Sequence, residues 1–332
     1  KLTGGYDFIA SPSASRDGDG PDGDPSDNGD WAEVGDCGNA TFRASTWHGS
    51  HVAGIIGAAS NNDYGITGVA WDVRIMPIRV LGRCGGAISD IINGMYWAAG
   101  LSVPGVPRNP TPARILNMSL GSKLPAWSCS KAYADAVNAV RGAGAIVVAA
   151  AGNNGQDLVG EAAFYEPGGC PGVITVGASD HQGFRALYSN FSDQLVVDLS
   201  APGGDIKYHG TETAGIYSTV DSGIRGPVGP SGRYTNGTSQ AAPHVSGILA
   251  LMLSANPSLS NAQLYNTLIE TSREFNQESV CYRDSVCGWG IANAHSALVR
   301  ATTDPANTYT SISISSSLNP SPYGTTFTVT AT

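Results

Sequence analysis

Strand-like segments alternate with helical segments along most of this chain of 332 residues. Residues 146–151 form a continuous apolar run, which is typical of a parallel strand covered on both faces. Further strands are predicted at 74–80, 114–118 and 173–178, and helices at 88–99, 131–140, 239–253 and 261–271. Such alternation favours an α/β fold, with a parallel sheet between two layers of helices.

A hydroxyl nucleophile lies at a loop-to-helix junction in residues 236–247, NGTSQAAPHVSG. The first turn of a helix carries unpaired N–H groups and the positive end of the helix dipole. Negative charge that develops on a reacting carbonyl oxygen is stabilised at such a point. The position of Ser239 therefore predicts acyl-transfer chemistry.

A base must remove the serine proton before the hydroxyl becomes a good nucleophile. Among six histidines, His48 and His51 stand one helical turn apart in TWHGSHVAGIIG, residues 46–57. Such a pair can bind a metal, but the glutamate of the zinc-protease motif is absent and no third ligand is evident. Taken alone, the pair is explained as well by capping and packing as by catalysis.

Three segments resemble the subtilisin-like serine proteases, in the order in which that family has them: HGSHVAGIIGA (48–58), VVAAAGN (147–153) and NGTSQAAPHVSG (236–247). Shorter matches extend the resemblance over roughly residues 1–302. The resemblance implies a three-layer α/β sandwich with a central parallel sheet. It also implies a secreted, monomeric serine endopeptidase, made with an N-terminal propeptide, that cleaves proteins or peptides through an acyl-enzyme intermediate.

Catalytic roles carry over from the resemblance to three residues. Ser239 is expected to be the nucleophile, and His48 the general base and then the general acid. Asn153 is expected to donate its side-chain amide to the oxyanion, beside the backbone N–H of Ser239. A Gly-Asn pair after a strand is also an ordinary turn signal. Its place at the carboxyl end of a buried strand favours the catalytic role.

The third member of the family's triad is an aspartate in an Asp-Thr/Ser-Gly motif before the histidine. Residues 1–9 resemble the stretch that follows this motif, so we expect the aspartate to lie upstream of Lys1. Asp221, in VDSGI, and Asp7 are poor substitutes because of their positions, as are the aspartates of residues 17–30. A chain truncated there is expected to lose about 10⁴ in kcat and to fold poorly.

The resemblance places substrate contacts at five residues: Ser119, Leu120, Gly121, Ala151 and Gly152. The first three lie at a strand end that pairs with an extended substrate through main-chain hydrogen bonds. The other two wall the primary specificity pocket together with residues 165–168. Tyr165 and Glu166 either shape this pocket or are ordinary loop residues, and the sequence leaves both possibilities open.

Six cysteines contain no Cys-x-x-Cys pair, which argues against zinc and redox motifs. An even number in a secreted protein favours three disulfides among fifteen possible connectivities. Proximity in the sequence suggests Cys281–Cys287, Cys37–Cys84 and Cys129–Cys170. The alternative is a set of buried free thiols.

An acidic loop at residues 17–30 contains six aspartates among glycines and prolines. Mutual repulsion would splay this loop unless a cation neutralised it, and Ca²⁺ prefers carboxylate and carbonyl oxygens on a flexible backbone. We therefore expect structural Ca²⁺ here, with four ligands: Asp17, Asp19, Asp22 and Asp24. A second calcium loop of the family resembles residues 61–66, with Asn62 as a ligand. The alternative is a solvated loop.

Charge and apolarity exclude several classes of partner. The formal net charge is −9, from 18 basic and 27 acidic residues, which argues against binding to nucleic acid or anionic membranes. No apolar run is long enough for insertion into a bilayer.

The composition changes near residue 303. Residues 308–332 are rich in Ser and Thr with strand-like alternation, and they resemble the start of an immunoglobulin-like β repeat. We therefore expect a peptidase domain at 1–303 and, at 304–332, a linker with the beginning of an all-β immunoglobulin-like domain.

Two functions from different classes remain open: a calcium-stabilised endopeptidase, and a non-catalytic relative that serves as a binding or scaffold module. The joint presence of His48, Asn153 and Ser239 favours the peptidase, because a binding module has no physical need for all three.

Overall fold

The computed structural model describes residues 1–124, 128–158, 164–192, 196–284 and 286–303, together with two short strands at 314–316 and 329–331. The helices are α1 (Pro12–Ser15), α2 (His48–Gly57), α3 (Ile88–Ala98), α4 (Lys131–Gly142), α5 (Ile206–His209), α6 (Thr238–Ala255), α7 (Asn261–Glu270), α8 (Val280–Asp284) and α9 (Ala294–Thr303). The strands are β1 (Tyr6–Asp7), β2 (Ile78–Arg79), β3 (Ile115–Met118), β4 (Ser122–Leu124), β5 (Ile146–Ala150), β6 (Phe164–Glu166), β7 (Val173–Ser179), β8 (Leu199–Pro202), β9 (Ile216–Asp221), β10 (Pro230–Thr235), β11 (Ile314–Ser316) and β12 (Val329–Ala331).

A four-stranded parallel sheet in the order β3-β5-β7-β8 forms the centre of the fold. Successive side chains of β5 point to opposite faces, as in any strand. Ile146 and Val148 belong to a core shared with α6, α7 and α9. Val147 and Ala149 belong to a second core shared with α3 and α4. Two buried faces explain the unbroken apolar run of β5, and the predicted α/β architecture with a central parallel sheet is confirmed.

The strand predicted at 74–80 is shorter than expected. Only Ile78 and Arg79 form a regular ladder, which pairs in parallel with Tyr6 and Asp7. The preceding segment still runs beside residues 1–5, with Thr3 donating to the Ile75 carbonyl at 2.9 Å. Pro77 interrupts the ladder because it has no backbone N–H to donate.

Helices α2 and α6 run side by side in the same direction. Near their beginnings, the His51 ring meets Thr235, which precedes α6, at 3.1 Å. Further along, Gly247 lies so close to α2 and Val69 that an added Cβ would stand 2.6 Å from Val69 Cβ and 3.5 Å from the Ile56 carbonyl oxygen. The first residues of both helices therefore lie at one end of the fold.

Three disulfides join Cys37 to Cys84, Cys129 to Cys170, and Cys281 to Cys287. Their Cα–Cα distances of 5.3, 5.0 and 5.2 Å fit disulfide geometry. The pairing predicted from sequence proximity is confirmed. The first two bridges close chain separations of 47 and 41 residues, and such cross-links restrict the unfolded chain.

The end of the chain is described only in part. Strands β11 and β12 pair in an antiparallel manner, with Ile314 opposite Ala331. The rest of residues 304–332 lies outside the described residues, so the linker and the immunoglobulin-like domain stay predictions.

Candidate active site

Ser239 is the second residue of α6, and its main chain is fixed from the neighbouring strand end. Pro243, four residues later, has no N–H to give to the Ser239 carbonyl, so the helix leaves this oxygen free. The Ser119 hydroxyl donates to it instead, at 2.8 Å. The Ser239 hydroxyl in turn donates to the Ser119 carbonyl at 3.2 Å. This reciprocal pair ties the nucleophile to the segment after β3.

Two further polar side chains hold Ser119 in place. Asn117 donates through Nδ2 to the Ser119 hydroxyl at 3.0 Å and accepts from the Ser246 hydroxyl at 2.8 Å. Sequence reasoning assigned Ser119 to substrate binding and missed this support of Ser239. The available signal was a proline four residues after a helical serine, which leaves one carbonyl in need of a donor.

Asn153 follows β5 with its amide group oriented by the residue before the nucleophile. Its Oδ1 accepts from both the backbone N–H and the hydroxyl of Thr238, each at 2.8 Å. The Thr238 hydroxyl also accepts from Gly152 N at 3.1 Å. Since Oδ1 is occupied, the two hydrogens on Nδ2 face the other way. An added Cβ on Gly237 would lie 3.5 Å from Nδ2, which places this donor beside the serine loop.

A cleft of about 430 Å³ opens next to these groups. Its lining includes the nucleophile, the amide and most of the predicted substrate contacts: Ser119, Leu120, Gly121, Gly152, Asn153, Thr238 and Ser239. Ala151 does not line it. That residue is fully buried in a small apolar cluster with Leu158 and Val197, and its neighbour Ala150 reaches the cleft.

His48 begins α2, after a residue in left-handed conformation, Trp47, with φ of 50°. The indole N–H of Trp47 donates to the Gly223 carbonyl at 2.7 Å, and the Arg233 guanidinium donates to the Thr46 carbonyl. Burial lowers the pKa of His48 below its ordinary 6.5, and the negative charge of Asp30 opposes this shift. Burial therefore favours the neutral imidazole, which is the form that a general base requires.

His51, one turn later, has a structural environment. It is buried, and its Nε2 lies 3.0 Å from the Arg233 carbonyl and 3.1 Å from the Thr235 hydroxyl. These contacts fix α2 against the strand that leads to Ser239. In the part of the chain that the structure describes, the one group of three potential ligands with atoms within 4.8 Å is Cys129, Glu166 and Cys170. The histidine pair is therefore not arranged as a metal site there.

The structure places Ser239, His48 and Asn153, the three residues predicted to act in catalysis, toward one end of the sheet. Ser239 and His48 begin two helices that start at the same end, and Asn153 follows the adjacent central strand. The Ser239 hydroxyl bonds to Ser119 rather than to the imidazole, so it has to rotate before the histidine can accept its proton.

Comparison with known proteins identifies the family of this chain. The peptidase S8 model, which describes the subtilase family, matches residues 14–290. This chain belongs to the subtilase family. The match covers all three residues assigned to catalysis.

Individual relatives are similar over most of the chain. The extracellular basic protease of Dichelobacter nodosus is 43% identical over 303 residues, which are 89% of this chain and 46% of that protein. The extracellular protease of Xanthomonas campestris pv. campestris is 39% identical over 302 residues, covering 90% and 48%. This subtilase therefore spans about half the length of these curated relatives.

A solved structure of proteases from Pseudoalteromonas arctica matches this subtilase with a TM-score of 0.83 and 40% identity. The match covers 90% of this chain and 84% of that chain. It supports the same fold for this subtilase.

The aspartates considered for the triad have other partners in this subtilase. Asp221 Oδ1 accepts from the backbone N–H groups of Gly223 and Val228, each at 2.7 Å, and so stabilises a turn. Asp7 is buried against Arg79. Asp30 accepts from the Thr46 backbone at 2.6 Å and hydroxyl at 2.7 Å, two residues before His48.

Arg79, on β2, neutralises part of the negative charge of the acidic loop. It forms ion pairs with Asp7 and Asp17, and its Nη2 lies 3.8 Å from Asp27. The positive charge of Arg79 reduces the repulsion among the aspartates, which was the reason for predicting a bound cation. Asp17, one of the predicted calcium ligands, is paired with Arg79.

The other predicted calcium ligands are engaged locally or exposed. Asp22 and Asp24 accept backbone N–H groups at 2.8 and 3.0 Å, and Asn62 accepts from Tyr64 N at 3.4 Å. Asp19 is exposed. Among the described residues, no three of the carboxylates of Asp17, Asp19, Asp22 and Asp24 lie within 4.8 Å of one another, and the calcium site stays a prediction.

None of the helices in the described part of the chain combines the length and apolarity needed to cross a bilayer.

Proposed function

We propose that this subtilase is a serine endopeptidase that hydrolyses peptide bonds in protein or peptide substrates. One observation carries the proposal: Thr238 holds the Asn153 amide beside Ser239, at the N-terminus of α6. A preorganised donor placed where an oxyanion develops is a requirement of acyl transfer and has no evident use in a binding module.

The reaction follows from these groups. The Ser239 hydroxyl turns from the Ser119 carbonyl toward His48, which accepts its proton as the oxygen attacks the scissile carbonyl. The resulting oxyanion is stabilised by the Ser239 N–H and Asn153 Nδ2. His48 then protonates the leaving amine, and a water molecule hydrolyses the acyl-enzyme in the reverse sense. The aspartate expected upstream of Lys1 would orient the imidazole and stabilise its charged form.

Substrate is proposed to bind as an extended strand along residues 119–121. Leu120 and Gly121 line the cleft next to the nucleophile. Main-chain hydrogen bonds at such an edge give affinity with little demand on sequence. This mode suits an enzyme that accepts proteins of varied sequence.

Secretion is proposed from two observations. The relatives from Dichelobacter and Xanthomonas are extracellular proteases, and the chain contains three disulfides. Disulfides persist in oxidising compartments such as the cell exterior. A propeptide and a monomeric state stay proposals from the family resemblance.

Calcium binding to the acidic loop is testable by thermal unfolding in Ca²⁺ and in a chelator. Saturation at 100 times Kd would stabilise the folded state by about 2.7 kcal/mol. Asp19→Asn combined with Asp24→Asn is expected to abolish the difference, because both carboxylates are free of ion pairs with Arg79. Equal melting temperatures in Ca²⁺ and in chelator would contradict calcium binding and would mean that Arg79 alone balances the charge of this loop.

Labelling by a fluorophosphonate probe tests the proposed activity on the full-length protein. Ser239→Ala should abolish labelling, whereas Ser254→Ala, an exposed serine of the same helix, should leave it unchanged. A folded protein that resists the probe would favour the non-catalytic binding module.

A further inference from the structure

The ring of Tyr165 occupies space next to the proposed nucleophile. Tyr165 lines the same cleft as Ser239 and Asn153. A Cβ added to Gly152 would stand only 2.6 Å from Tyr165 Cε1 and 2.8 Å from Cδ1. A Cβ added to Gly121 would stand 3.6 Å from Tyr165 Cδ1. The ring therefore lies between the two glycine backbones that flank the cleft beside the serine.

Three contacts keep the ring in this position. The Tyr165 hydroxyl donates to Asn154 Oδ1, and the Asn154 backbone N–H is itself bound by Asn190 Oδ1 at 3.0 Å. The backbone of Tyr165 is paired with Lys123 in the β4–β6 ladder. Movement of the ring out of the cleft would break the hydroxyl contact while the ladder held the backbone still.

We infer that Tyr165 restricts this enzyme to substrates with a small side chain, such as Gly, Ala or Ser, before the scissile bond. The inference rests on the proposed function, since it takes Ser239 as the attacking group. The cleft beside Ser239 opens between residues 119–121 on one side and Ala150 and Gly152 on the other, so the side chain of a residue whose carbonyl reaches Ser239 has this space to enter. The Tyr165 ring fills that space, so a benzyl or long aliphatic group clashes with it while a methyl group fits.

Paired peptide p-nitroanilides that differ only in their last residue, Ala or Phe, test this inference on the full-length protein. The unmodified enzyme should have the higher kcat/KM for the Ala peptide. Tyr165→Gly should raise the Phe-to-Ala ratio of kcat/KM by at least about 10- to 200-fold. This is the range for one methylene group in an apolar pocket, and removal of a whole ring should have at least that effect. Tyr165→Ala should shift the ratio in the same direction.

Two control variants separate the ring from other effects. Tyr165→Phe keeps the ring and loses the bond to Asn154, so it should retain the preference for Ala. Tyr208→Ala removes a tyrosine that is 63% exposed and outside the cleft, so it should change kcat/KM for neither the Ala nor the Phe peptide.

The outcomes distinguish the inference from the function on which it rests. A preference of the unmodified enzyme for Phe, or an unchanged ratio in a folded Tyr165→Gly protein, overturns the role of Tyr165 while hydrolysis stays dependent on Ser239. If the folded protein shows no hydrolysis that depends on Ser239, the proposed function is overturned, and the inference falls with it.

Discussion

The segments around Ser239 and the loops around His48 are held by different forces. The serine side, which comprises Ser239, Asn153 and β5, is fixed by buried apolar packing and by hydrogen bonds between neutral groups. The histidine side, by which we mean the loops 17–47 and 222–229 next to His48, carries ion pairs in addition to neutral contacts. Arg225 pairs with Glu33 at 2.9 Å across these loops, and Arg83 pairs with Asp36 at 2.8 Å.

Because of this difference, pH and salt should affect the two regions unequally. Apolar packing and neutral hydrogen bonds do not titrate, so the nucleophile and the oxyanion donor should keep their positions over a wide pH range. Charged contacts respond to pH and salt. The surroundings of the base should therefore respond to both.

Removal of Arg79 should have the largest effect on stability. At pH 8, Arg79→Met leaves the buried Asp7 charge without its partner, and the free energy of unfolding should fall by about 3–5 kcal/mol. Arg225→Met removes a half-exposed pair on the same side and should change stability little. Urea unfolding of both variants measures the difference.

The same variant has a pH signature. Burial raises the pKa of Asp7 from 3.8 to about 6. Protonation of Asp7 therefore favours the folded state, and this contribution is complete below pH 3.8 and lost as the pH rises through 6. The cost of Arg79→Met should shrink at pH 5, where Asp7 is mostly neutral in the folded protein. An equal cost at pH 5 and pH 8 would contradict this account of the acidic loop.

Apart from loss of Ser239 itself, loss of the proposed oxyanion donor should have the largest effect on catalysis among the variants on the serine side. Asn153→Ala should lower kcat by about a hundred- to a thousand-fold with little change in KM, a magnitude established on subtilisin, a relative of this chain. Steady-state kinetics on a peptide substrate gives both constants. A decrease confined to KM would mean that Asn153 contacts the substrate only in the ground state.

A smaller loss is expected from Thr238→Val, which keeps the shape of the side chain but removes its hydroxyl. Asn153 Oδ1 then keeps one of its two donors, and Gly152 N loses its acceptor. One hydrogen bond is worth about 1 kcal/mol, so kcat should fall about fivefold. Thr211→Val, on the exposed surface, serves as the matched control. Equal kcat values would show that the backbone N–H of Thr238 orients the amide alone.

The smallest effect is a shift along the pH axis. The Asp30 charge raises the pKa of His48 against the larger lowering by burial, so Asp30→Asn should lower that pKa further. Since the neutral imidazole is the active base, the acid limb of kcat/KM should move to lower pH. Glu33→Gln removes the same charge from the same loop and should leave the limb in place. A shift to higher pH in Asp30→Asn would contradict this assignment.

Local patterns predicted much of this molecule. The apolar run of β5 predicted a doubly covered strand, and sequence proximity predicted all three disulfides. The catalytic roles that the family motifs assign to Ser239, His48 and Asn153 stay predictions. Each of these features lies within one segment or between neighbouring segments.

Contacts between distant segments were not predictable in the same way. Ser119 and Ser239 are 120 residues apart, and Thr238 and Asn153 are 85 apart. Their hydrogen bonds depend on how β3, β5 and α6 meet. Arg79 lies beside the acidic loop because β1 and β2 pair. Counting the charges within the loop alone could not predict that this arginine neutralises part of them. The place of the Tyr165 ring likewise depends on two glycines in other segments.

A crystal structure of the full-length protein after reaction with a fluorophosphonate would test the proposed active site at the atomic level. We predict phosphorus on Ser239 Oγ, with a phosphoryl oxygen about 2.7–3.1 Å from both Asn153 Nδ2 and Ser239 N. We also predict that Thr238 still holds Asn153 Oδ1. Phosphorus on another residue, or a phosphoryl oxygen directed away from Asn153, would contradict the proposed active site.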